Sequence, residues 1–197
     1  MIVAIDGPAG AGKSSVARGL AARLGARYLD SGAMYRCVAL ASIEDSTRAP
    51  AELAGALRIE LGERVRLDGR DVTDAIRRPE VSARASVVAA DPDVRRALVA
   101  QQRELLASGD WVAEGRDIGT VVAPDADLKI FLTASPQARA RRRAEEPSAA
   151  IGERDARDAG RAASPLKAAD DARVIDTTEL SLEQVIEQIA VLVPSAH

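Results

Sequence analysis

Short apolar runs alternate with longer amphipathic segments along the chain. The runs have the length of buried strands, and we predict five of them, at 2–6, 28–30, 111–114, 128–132 and 173–176. In between, apolar residues recur every three or four positions, which predicts helices over 13–24, 31–43, 91–108, 136–146 and 182–192, with another inside 147–170. Because strands and helices alternate, the predicted fold is α/β, with a parallel sheet and right-handed crossovers.

Residues that favour helix ends support these boundaries. Ser31, Asp91 and Ser181 are suitable N-caps for the helices that follow them. Gly25 and Gly109 are suitable stops, because glycine adopts the left-handed backbone at a helix C-terminus without steric cost.

Residues 45–80 differ from the rest of the pattern. Ala51–Leu57 predicts a short helix, and the stretch RIELGERVRLDGRDV alternates charged and apolar residues around Gly62-Glu63 and Asp68-Gly69. We therefore expect a small insert that consists of a helix and a hairpin.

The length and composition limit the size of the fold. The 197 residues suffice for one α/β domain with a packed core and a small insert, but not for two full-sized domains. Hydrophobic residues make up 47% of the chain, which favours a folded protein over a disordered one. Aromatic residues are only 2%, so the core is expected to consist of Ala, Val, Leu and Ile.

Three features lead us to expect a cytoplasmic protein. The single cysteine, Cys37, has no partner for an internal disulfide, as is usual in a reducing compartment. The sequence MIVAIDG begins a strand directly and lacks the basic and apolar regions of a signal peptide. No apolar run approaches the ~18–20 residues that cross a bilayer.

The charged residues give no reason to expect nucleic-acid or membrane partners, since the net charge is −3. The basic residues are nearly all arginine: lysine occurs only at 13, 129 and 167, which leaves 24 of 27 as arginine. Biased genome composition would explain this excess, and so would a need for bidentate phosphate binding. Only the positions of the arginines can separate the two explanations.

Residues 7–14 read GPAGAGKS and match the phosphate-loop pattern G-x-x-x-x-G-K-[ST] between a predicted strand and a predicted helix. Such a loop surrounds a triphosphate with backbone N–H groups, and the helix N-terminus adds partial positive charge. We expect Lys13 to reach the β- and γ-phosphates and Ser14 to ligate Mg²⁺. The expected ATP-binding residues are Gly7, Pro8, Ala9, Gly10, Ala11, Gly12, Lys13, Ser14 and Ser15. The alternative is a chance match in a glycine-rich turn.

Several arginines follow the predicted strands at the edge where such folds bind ligands. Arg36 follows the second strand, and Arg116 and Asp117 follow the third. Another set shares one helix face by its spacing: Arg154, Arg157 and Arg161. Phosphoryl transfer needs such cations, because charge on the equatorial oxygens has to be neutralised. Taken alone, each arginine also fits a solvated surface position.

The phosphate loop by itself leaves several classes of protein open. They are a switch or motor ATPase or GTPase, a kinase for another nucleoside monophosphate or for shikimate, and a non-catalytic nucleotide-binding module. The absence of an extra domain and of a guanine-binding NKxD motif argues against a GTPase. Lys13, Ser14 and the arginines argue against a non-catalytic module.

Four segments resemble the bacterial cytidylate kinases and together span nearly the whole chain. They are the phosphate loop, LDSGAMYR at 29–36, VAEGRDIGTVVAPDADLKIFLTAS at 112–135 and RDARDAGRAASPLKAADDARVIDTT at 154–178. The resemblance implies a nucleoside monophosphate kinase with a P-loop NTPase fold, a five-stranded parallel sheet flanked by helices. It implies one domain with three parts: a core (1–44, 81–146 and 171–197), an acceptor-binding insert (about 45–80) and a short lid (about 147–165).

By the same resemblance, Ser86, Arg95 and Asp117 match the positions that bind cytosine. The chemistry is suitable, because a carboxylate such as Asp117 can accept from the N4 amino group of cytosine. The N3 and O2 acceptors of the base suit Arg95 and the Ser86 hydroxyl. Uracil presents an N3–H donor and an O4 acceptor, which reverses this pattern.

The resemblance also assigns residues around the acceptor phosphate. Three arginines would hold that phosphate: Arg36, Arg116 and Arg161. Ser31 would lie in the same pocket, and Arg154 and Asp158 would lie near the acceptor ribose and phosphate. Arg157 would act from the lid, which is shorter here than is usual in the family.

The implied reaction is direct in-line transfer of the γ-phosphoryl group of Mg·ATP to CMP or dCMP. No strong general base is needed, because the attacking phosphate oxygen is already anionic at neutral pH. Charge neutralisation is expected from the catalytic residues Lys13, Arg116, Arg154, Arg157 and Arg161. We also expect a monomer whose only partners are small molecules.

Overall fold

The structure is a computed structural model that describes residues 1–142 and 166–194. The chain forms two compact units, the first consisting of Met1–Leu29 and Leu106–His197 and the second of Asp30–Leu105. The division into core, insert and lid stays a prediction. The lid range and the helix predicted inside 147–170 lie outside the described residues, except for 166–170.

Eight strands and seven helices follow one another in the described residues. The strands are β1 (Ile2–Asp6), β2 (Arg27–Asp30), β3 (Ile59–Glu60), β4 (Arg66–Leu67), β5 (Arg70–Asp71), β6 (Trp111–Gly115), β7 (Leu128–Thr133) and β8 (Arg173–Asp176). The helices are α1 (Lys13–Leu24), α2 (Ser31–Glu44), α3 (Pro50–Ala56), α4 (Pro79–Val88), α5 (Pro92–Leu106), α6 (Pro136–Arg142) and α7 (Leu182–Leu192). Among the described residues, none of the helices is long and apolar enough to cross a membrane.

A five-stranded parallel sheet with the order β2-β6-β1-β7-β8 confirms the predicted fold class. Asp6, the last residue of β1, is in register with Gly115 of β6 and Phe131 of β7. The segments that follow β1, β6 and β7 therefore leave the sheet at its carboxyl edge. Ligands bind at this edge in open parallel sheets.

The core of the first unit consists of small aliphatic side chains, as the composition predicts. Its largest buried members include Ile5, Leu20 and Ile130. Trp111, the only tryptophan of the chain, is buried at the start of β6 and its ring lies 4.2 Å from the Arg27 guanidinium carbon. The long Arg27 side chain thus covers the indole from solvent.

Two helix boundaries of the first unit, the end of α1 and the start of α7, lie where the sequence predicts them. Gly25 closes α1 in the left-handed conformation, with φ of 64°. Ser181 begins α7 with a capping box: its hydroxyl accepts from the backbone N–H of Gln184 at 3.2 Å, and the Gln184 side chain accepts from the backbone N–H of Ser181 at 2.8 Å. The box satisfies two amides that the helix itself leaves without partners.

The second unit has its own apolar core, in which α2 packs on α4. Three short antiparallel strands in the order β3-β4-β5 extend the predicted hairpin by one strand. Asp68 and Gly69 form the β4–β5 turn with φ of 49° and 80°. Two successive positive φ angles are typical of the tight turns that match the twist of a hairpin.

Three sequence predictions about helices are wrong. The N-cap of α2 is Asp30 rather than Ser31, since the Asp30 carboxylate accepts from the backbone N–H of Ala33 at 2.8 Å. The helix α4 is missing from the prediction, although Pro79 at its first turn is a typical start. The helix α5 ends at Leu106, so Gly109, with φ of 83°, belongs to the turn before β6.

The capping box yields a prediction about stability. Ser181→Ala removes the hydroxyl acceptor and leaves the Gln184 amide without its helix cap, so we expect a loss of about 1 kcal/mol of unfolding free energy. Ser181→Asp restores an acceptor at the same position and should restore most of that loss. Urea unfolding of the two variants would measure both effects, and equal stability of Ser181→Ala and the unmodified protein would contradict the prediction.

Candidate active site

The phosphate loop lies at the carboxyl edge of the sheet, between β1 and α1. Gly7, Gly10 and Gly12 have φ of 149°, 77° and 92°, a region that side chains rarely allow. A Cβ on Gly7 would clash with the carbonyl oxygen of Leu132, and one on Gly10 would lie 2.9 Å from the carbonyl oxygen of Arg139. Glycine is required at both positions because the loop backbone packs directly on its neighbours.

The first turn of α1 has no side-chain cap. Gly12 is the N-cap residue and offers no side-chain acceptor, and the first turn contains no acidic residue. The partial positive charge of the helix N-terminus therefore favours an anion at this turn. Ser14 and Ser15 are exposed on this turn, and the Lys13 ammonium group donates to the carbonyl oxygen of Pro8 at 2.8 Å.

The opposite side of the loop is held by α6 and by the residue after β8. Arg139 donates to the carbonyl oxygen of Ala9 at 3.2 Å. The buried Thr177 hydroxyl lies 3.1 Å from the carbonyl oxygen of Ala11 and 3.0 Å from that of Thr133. Arg142 in turn donates to the hydroxyl and the carbonyl oxygen of Thr177, at 2.8 and 2.5 Å. The loop is thus fixed through several of its own carbonyl oxygens, and the Ala11 N–H donates to the carbonyl oxygen of Pro8 at 3.4 Å.

Arg116 and Asp117 follow β6 at the same edge of the sheet. The Arg116 guanidinium donates to the carbonyl oxygen of Gly7 at 2.6 Å, so the structure brings this arginine to the phosphate loop. Asp117 is buried, and its carbonyl oxygen accepts from Val121 and Val122 at the start of a single π-helical turn over Ile118–Val122.

Asp6 is a buried carboxylate at the end of β1. Its two oxygens accept from the backbone N–H groups of Ile118 and Gly119, each at 2.8 Å. Burial raises the pKa of the Asp6 carboxyl to about 6, and nearby Asp117 also raises it, whereas the two amides and Lys13 lower it. The group therefore titrates closer to neutral pH than an exposed aspartate does.

In the second unit, Ser31 and Arg36 lie on α2. Arg36 forms an ion pair with Asp30 at 2.9 Å, and both side chains are largely buried. The Nε–H of Arg36 is also buried and has no hydrogen-bond partner among the described residues. Ser31 is buried in the first turn of the same helix.

Ser86 and Arg95 lie on the neighbouring helices α4 and α5 of this unit, and both are buried. Arg95 donates to the carbonyl oxygen of Ala89 at 3.2 Å, and its guanidinium carbon lies 5.5 Å from the centre of the Tyr35 ring. A buried arginine held in this way is costly to desolvate, which is typical of a binding site rather than a surface position.

Four predicted site residues lie outside the described residues: Arg154, Arg157, Asp158 and Arg161. Sequence reasoning also missed residues in each unit. In the first unit, residues beside the phosphate loop were missed: Asp6, Arg139, Arg142 and Thr177. In the second unit, Asp30 beside Arg36 and Tyr35 beside Arg95 were missed. Only Asp6 could have been found from the sequence, because an acidic residue at the end of an otherwise apolar strand is unusual.

The titration of Asp6 yields a prediction about pH. Its pKa in the folded state is about 6, above the usual 3.8. It therefore favours the folded state most below about pH 4, and this contribution is lost as the pH rises through about 6. From pH 4 to 7, the unfolding free energy of Asp6→Asn should rise relative to that of the unmodified protein, by up to about 3 kcal/mol.

Urea unfolding at a series of pH values would measure this difference. Glu187→Gln is a matched control, because Glu187 is an exposed carboxylate in an ion pair with Arg23 in the same unit. A difference between Asp6→Asn and the unmodified protein that does not vary with pH would contradict the prediction.

Comparison with known proteins identifies the family. The family model of cytidylate kinases matches residues 3–195. A cytidylate kinase from Solibacter usitatus is 50% identical over 215 aligned positions, which cover 99% of this chain and 93% of that protein. One from Exiguobacterium sibiricum is 48% identical, with 98% and 97% covered.

A solved structure supports the fold independently. A gluconokinase from Sinorhizobium meliloti superposes with a TM-score of 0.56 at 16% identity, covering 98% of this chain and 93% of its own. At that identity the likeness shows the fold alone. Together with the match over residues 3–195 and a glycine loop before the N-terminus of α1, these findings show that the chain belongs to the cytidylate kinase family.

Proposed function

We propose that this protein transfers the γ-phosphoryl group of ATP to CMP or dCMP and releases ADP with CDP or dCDP. The observation that carries the proposal is the uncapped N-terminus of α1 behind a glycine loop, in a chain that belongs to the cytidylate kinase family. The loop supplies a phosphate site, and the family supplies the acceptor.

On the donor side, residues 7–15 bind the triphosphate of ATP. The amides of the loop and of the first turn of α1 donate to phosphate oxygens. Lys13 leaves the carbonyl oxygen of Pro8, 2.8 Å away, for the β- and γ-phosphates. The other members of the loop, Gly7, Gly10 and Gly12, allow the phosphates to approach the backbone.

Ser14 is suited to hold Mg²⁺ together with the phosphates. Its hydroxyl is exposed on the first turn of α1, and the described residues contain no cluster of three or more acidic, histidine or cysteine side chains that could hold a metal ion. Mg²⁺ in nucleotide sites needs only one or two protein oxygens, because phosphates and water supply the rest. When bound, the ion neutralises charge that develops on the β- and γ-phosphates.

On the acceptor side, arginines hold the phosphate of the nucleotide. Arg36 has a buried Nε–H without a partner among the described residues, and this donor suits a phosphate oxygen. Arg116 shares the task, as do Arg154 and Arg161, with Ser31 and Asp158 close to the acceptor. Arg157 neutralises charge from the lid at about 147–165.

The base is recognised by Ser86, Arg95 and Asp117. All three side chains are buried, so an unmatched hydrogen-bond group on the wrong base would remain unsatisfied. Asp117 accepts from the cytosine amino group, and Arg95 and Ser86 donate to N3 and O2. This pattern selects cytosine over uracil.

Transfer proceeds in line without a covalent enzyme intermediate. The residues of the chain contribute by positioning the two phosphates and by neutralising charge, since the attacking oxygen is already anionic. Exclusion of water prevents loss of the phosphoryl group by hydrolysis. A cytoplasmic location and a monomeric state remain predictions.

The direct test is a coupled assay of ADP release. Mg·ATP is combined in turn with CMP, dCMP, UMP, AMP, GMP and shikimate, and with no acceptor. We expect rapid ADP release with CMP and dCMP only. Preference for another acceptor would contradict the proposal, and so would hydrolysis that needs no acceptor, which would indicate an NTPase.

Replacing Lys13 should abolish catalysis without unfolding the protein. Lys13→Ala removes a cation that stabilises charge in the transition state, and we expect turnover to fall by about 10²-fold or more. Lys167→Ala, which removes an exposed lysine of the described residues, is the control. Near-normal turnover of a folded Lys13→Ala variant would contradict this role of Lys13.

Replacing Asp117 should weaken discrimination between bases. Asp117→Ala removes the acceptor for the cytosine amino group, and the ratio of kcat/KM for CMP to that for UMP should fall by about 10- to 100-fold. Asp110→Ala, at an exposed carboxylate that pairs with the terminal amine, is the control. An unchanged ratio in Asp117→Ala would contradict recognition of the base by Asp117.

A further inference from the structure

We propose that Asp6 is a positioning residue of the transfer reaction, whose carboxylate fixes the segment Arg116–Gly119 against the phosphate loop. The inference rests on the proposed function for its kinetic consequence. The contact itself does not depend on which acceptor the protein uses.

Asp6 holds the segment after β6 through two short hydrogen bonds. Both oxygens of Asp6 are used, one by the N–H of Ile118 and the other by the N–H of Gly119, each at 2.8 Å. Asp6 is 4% exposed, so water does not compete with these bonds. The strand register places Asp6 beside Gly115, which brings its side chain to the backbone that follows β6.

The residue next to Asp6 also binds the segment Arg116–Gly119. Gly7 follows Asp6 and begins the phosphate loop, and its carbonyl oxygen accepts from Arg116 at 2.6 Å. Two consecutive residues thus bind three groups of Arg116–Gly119: two amides and one guanidinium. The two amide bonds are buried and the guanidinium bond is partly buried. A shift of the segment would break these bonds and would change where Arg116 and Asp117 lie relative to the loop.

The contact is also closely packed. A Cβ on Gly119 would lie 3.4 Å from the Asp6 carboxylate, an ordinary van der Waals distance, and 3.3 Å from the Lys129 side chain, which would have to shift slightly. The Gly119 amide therefore lies in close packing against both side chains.

The choice of a carboxylate is also informative. Two converging N–H donors require two acceptor oxygens, which aspartate provides. Asparagine has nearly the same size but only one oxygen, so its amide group would face one of the N–H donors. A residue needed only to fill space would tolerate this exchange, whereas a residue that fixes the position of the segment would not.

Steady-state kinetics and ATP binding of Asp6→Asn test the proposal. We expect kcat/KM for CMP to fall by about 10- to 100-fold. The dissociation constant of ATP should change little, because Arg139 and Thr177 still hold the loop. Glu187→Gln is the control, since it makes the same chemical change at an exposed site. Normal kcat/KM in a folded Asp6→Asn variant would overturn the proposal, as would an equal loss of ATP binding.

A double-mutant cycle separates positioning from general destabilisation. If Asp6 acts through the segment that carries Arg116, the losses from Asp6→Asn and Arg116→Lys should be less than additive. Full additivity would overturn the proposal. Asp6→Glu is a second variant for the case that Asp6→Asn does not fold: it keeps two acceptor oxygens but displaces them by one methylene, and it should show the same selective loss of kcat/KM for CMP.

Amide hydrogen exchange of the unmodified protein tests the contact independently of activity. The amides of Ile118 and Gly119 should be strongly protected when measured by NMR. Rapid exchange of both amides would overturn the proposal. Lack of ADP release by the unmodified protein with every acceptor would instead contradict the proposed function, so the two failures are distinguishable.

Discussion

The close packing of the phosphate-loop backbone against its neighbours is the constraint on which the candidate site depends. Gly7 lies against the carbonyl of Leu132, and Gly10 lies against Arg139, so neither position tolerates a side chain. The carbonyl oxygens of the loop are bound by Arg116, Arg139 and Thr177. These carbonyls are held on the protein side, and the dipole of α1 favours an anion where the loop meets the helix. One strand–loop–helix segment is thus shaped by residues more than a hundred positions away.

The excess of arginine has more than one origin. Arg116, Arg139 and Arg142 bind backbone carbonyls or Thr177 around the loop. In the second unit, Arg95 is buried and Arg36 is largely buried. Lysine could not take the place of Arg142, because it lacks the planar guanidinium that donates from two nitrogens to the two oxygens of Thr177. Others lie in exposed ion pairs: Arg48, Arg58, Arg64 and Arg70. Position therefore separates arginines that make partly or fully buried contacts within the protein from arginines that form exposed ion pairs.

The sequence predicted what is local and missed what depends on distant contacts. The parallel sheet, the position of the glycine loop between a strand and a helix, and the N-cap of α7 follow from patterns a few residues long, and the structure confirms them. The cap of α2 was misassigned because Asp30 and Ser31 are both good N-caps and only backbone geometry separates them. The contacts of Asp6 and Thr177 with residues 112 and 166 positions away in sequence cannot be found from spacing.

The scarcity of aromatic residues has an optical consequence. Trp111, buried on β6 under Arg27, is the only indole, and it belongs to the unit with the phosphate loop. Of the two tyrosines, Tyr28 lies in that same unit and Tyr35 in the other. Light at the red edge of the protein's ultraviolet absorption band excites tryptophan but not tyrosine. The resulting emission therefore reports only on the surroundings of Trp111 on β6. The chain thus contains a native fluorophore that monitors one of its two units without labelling.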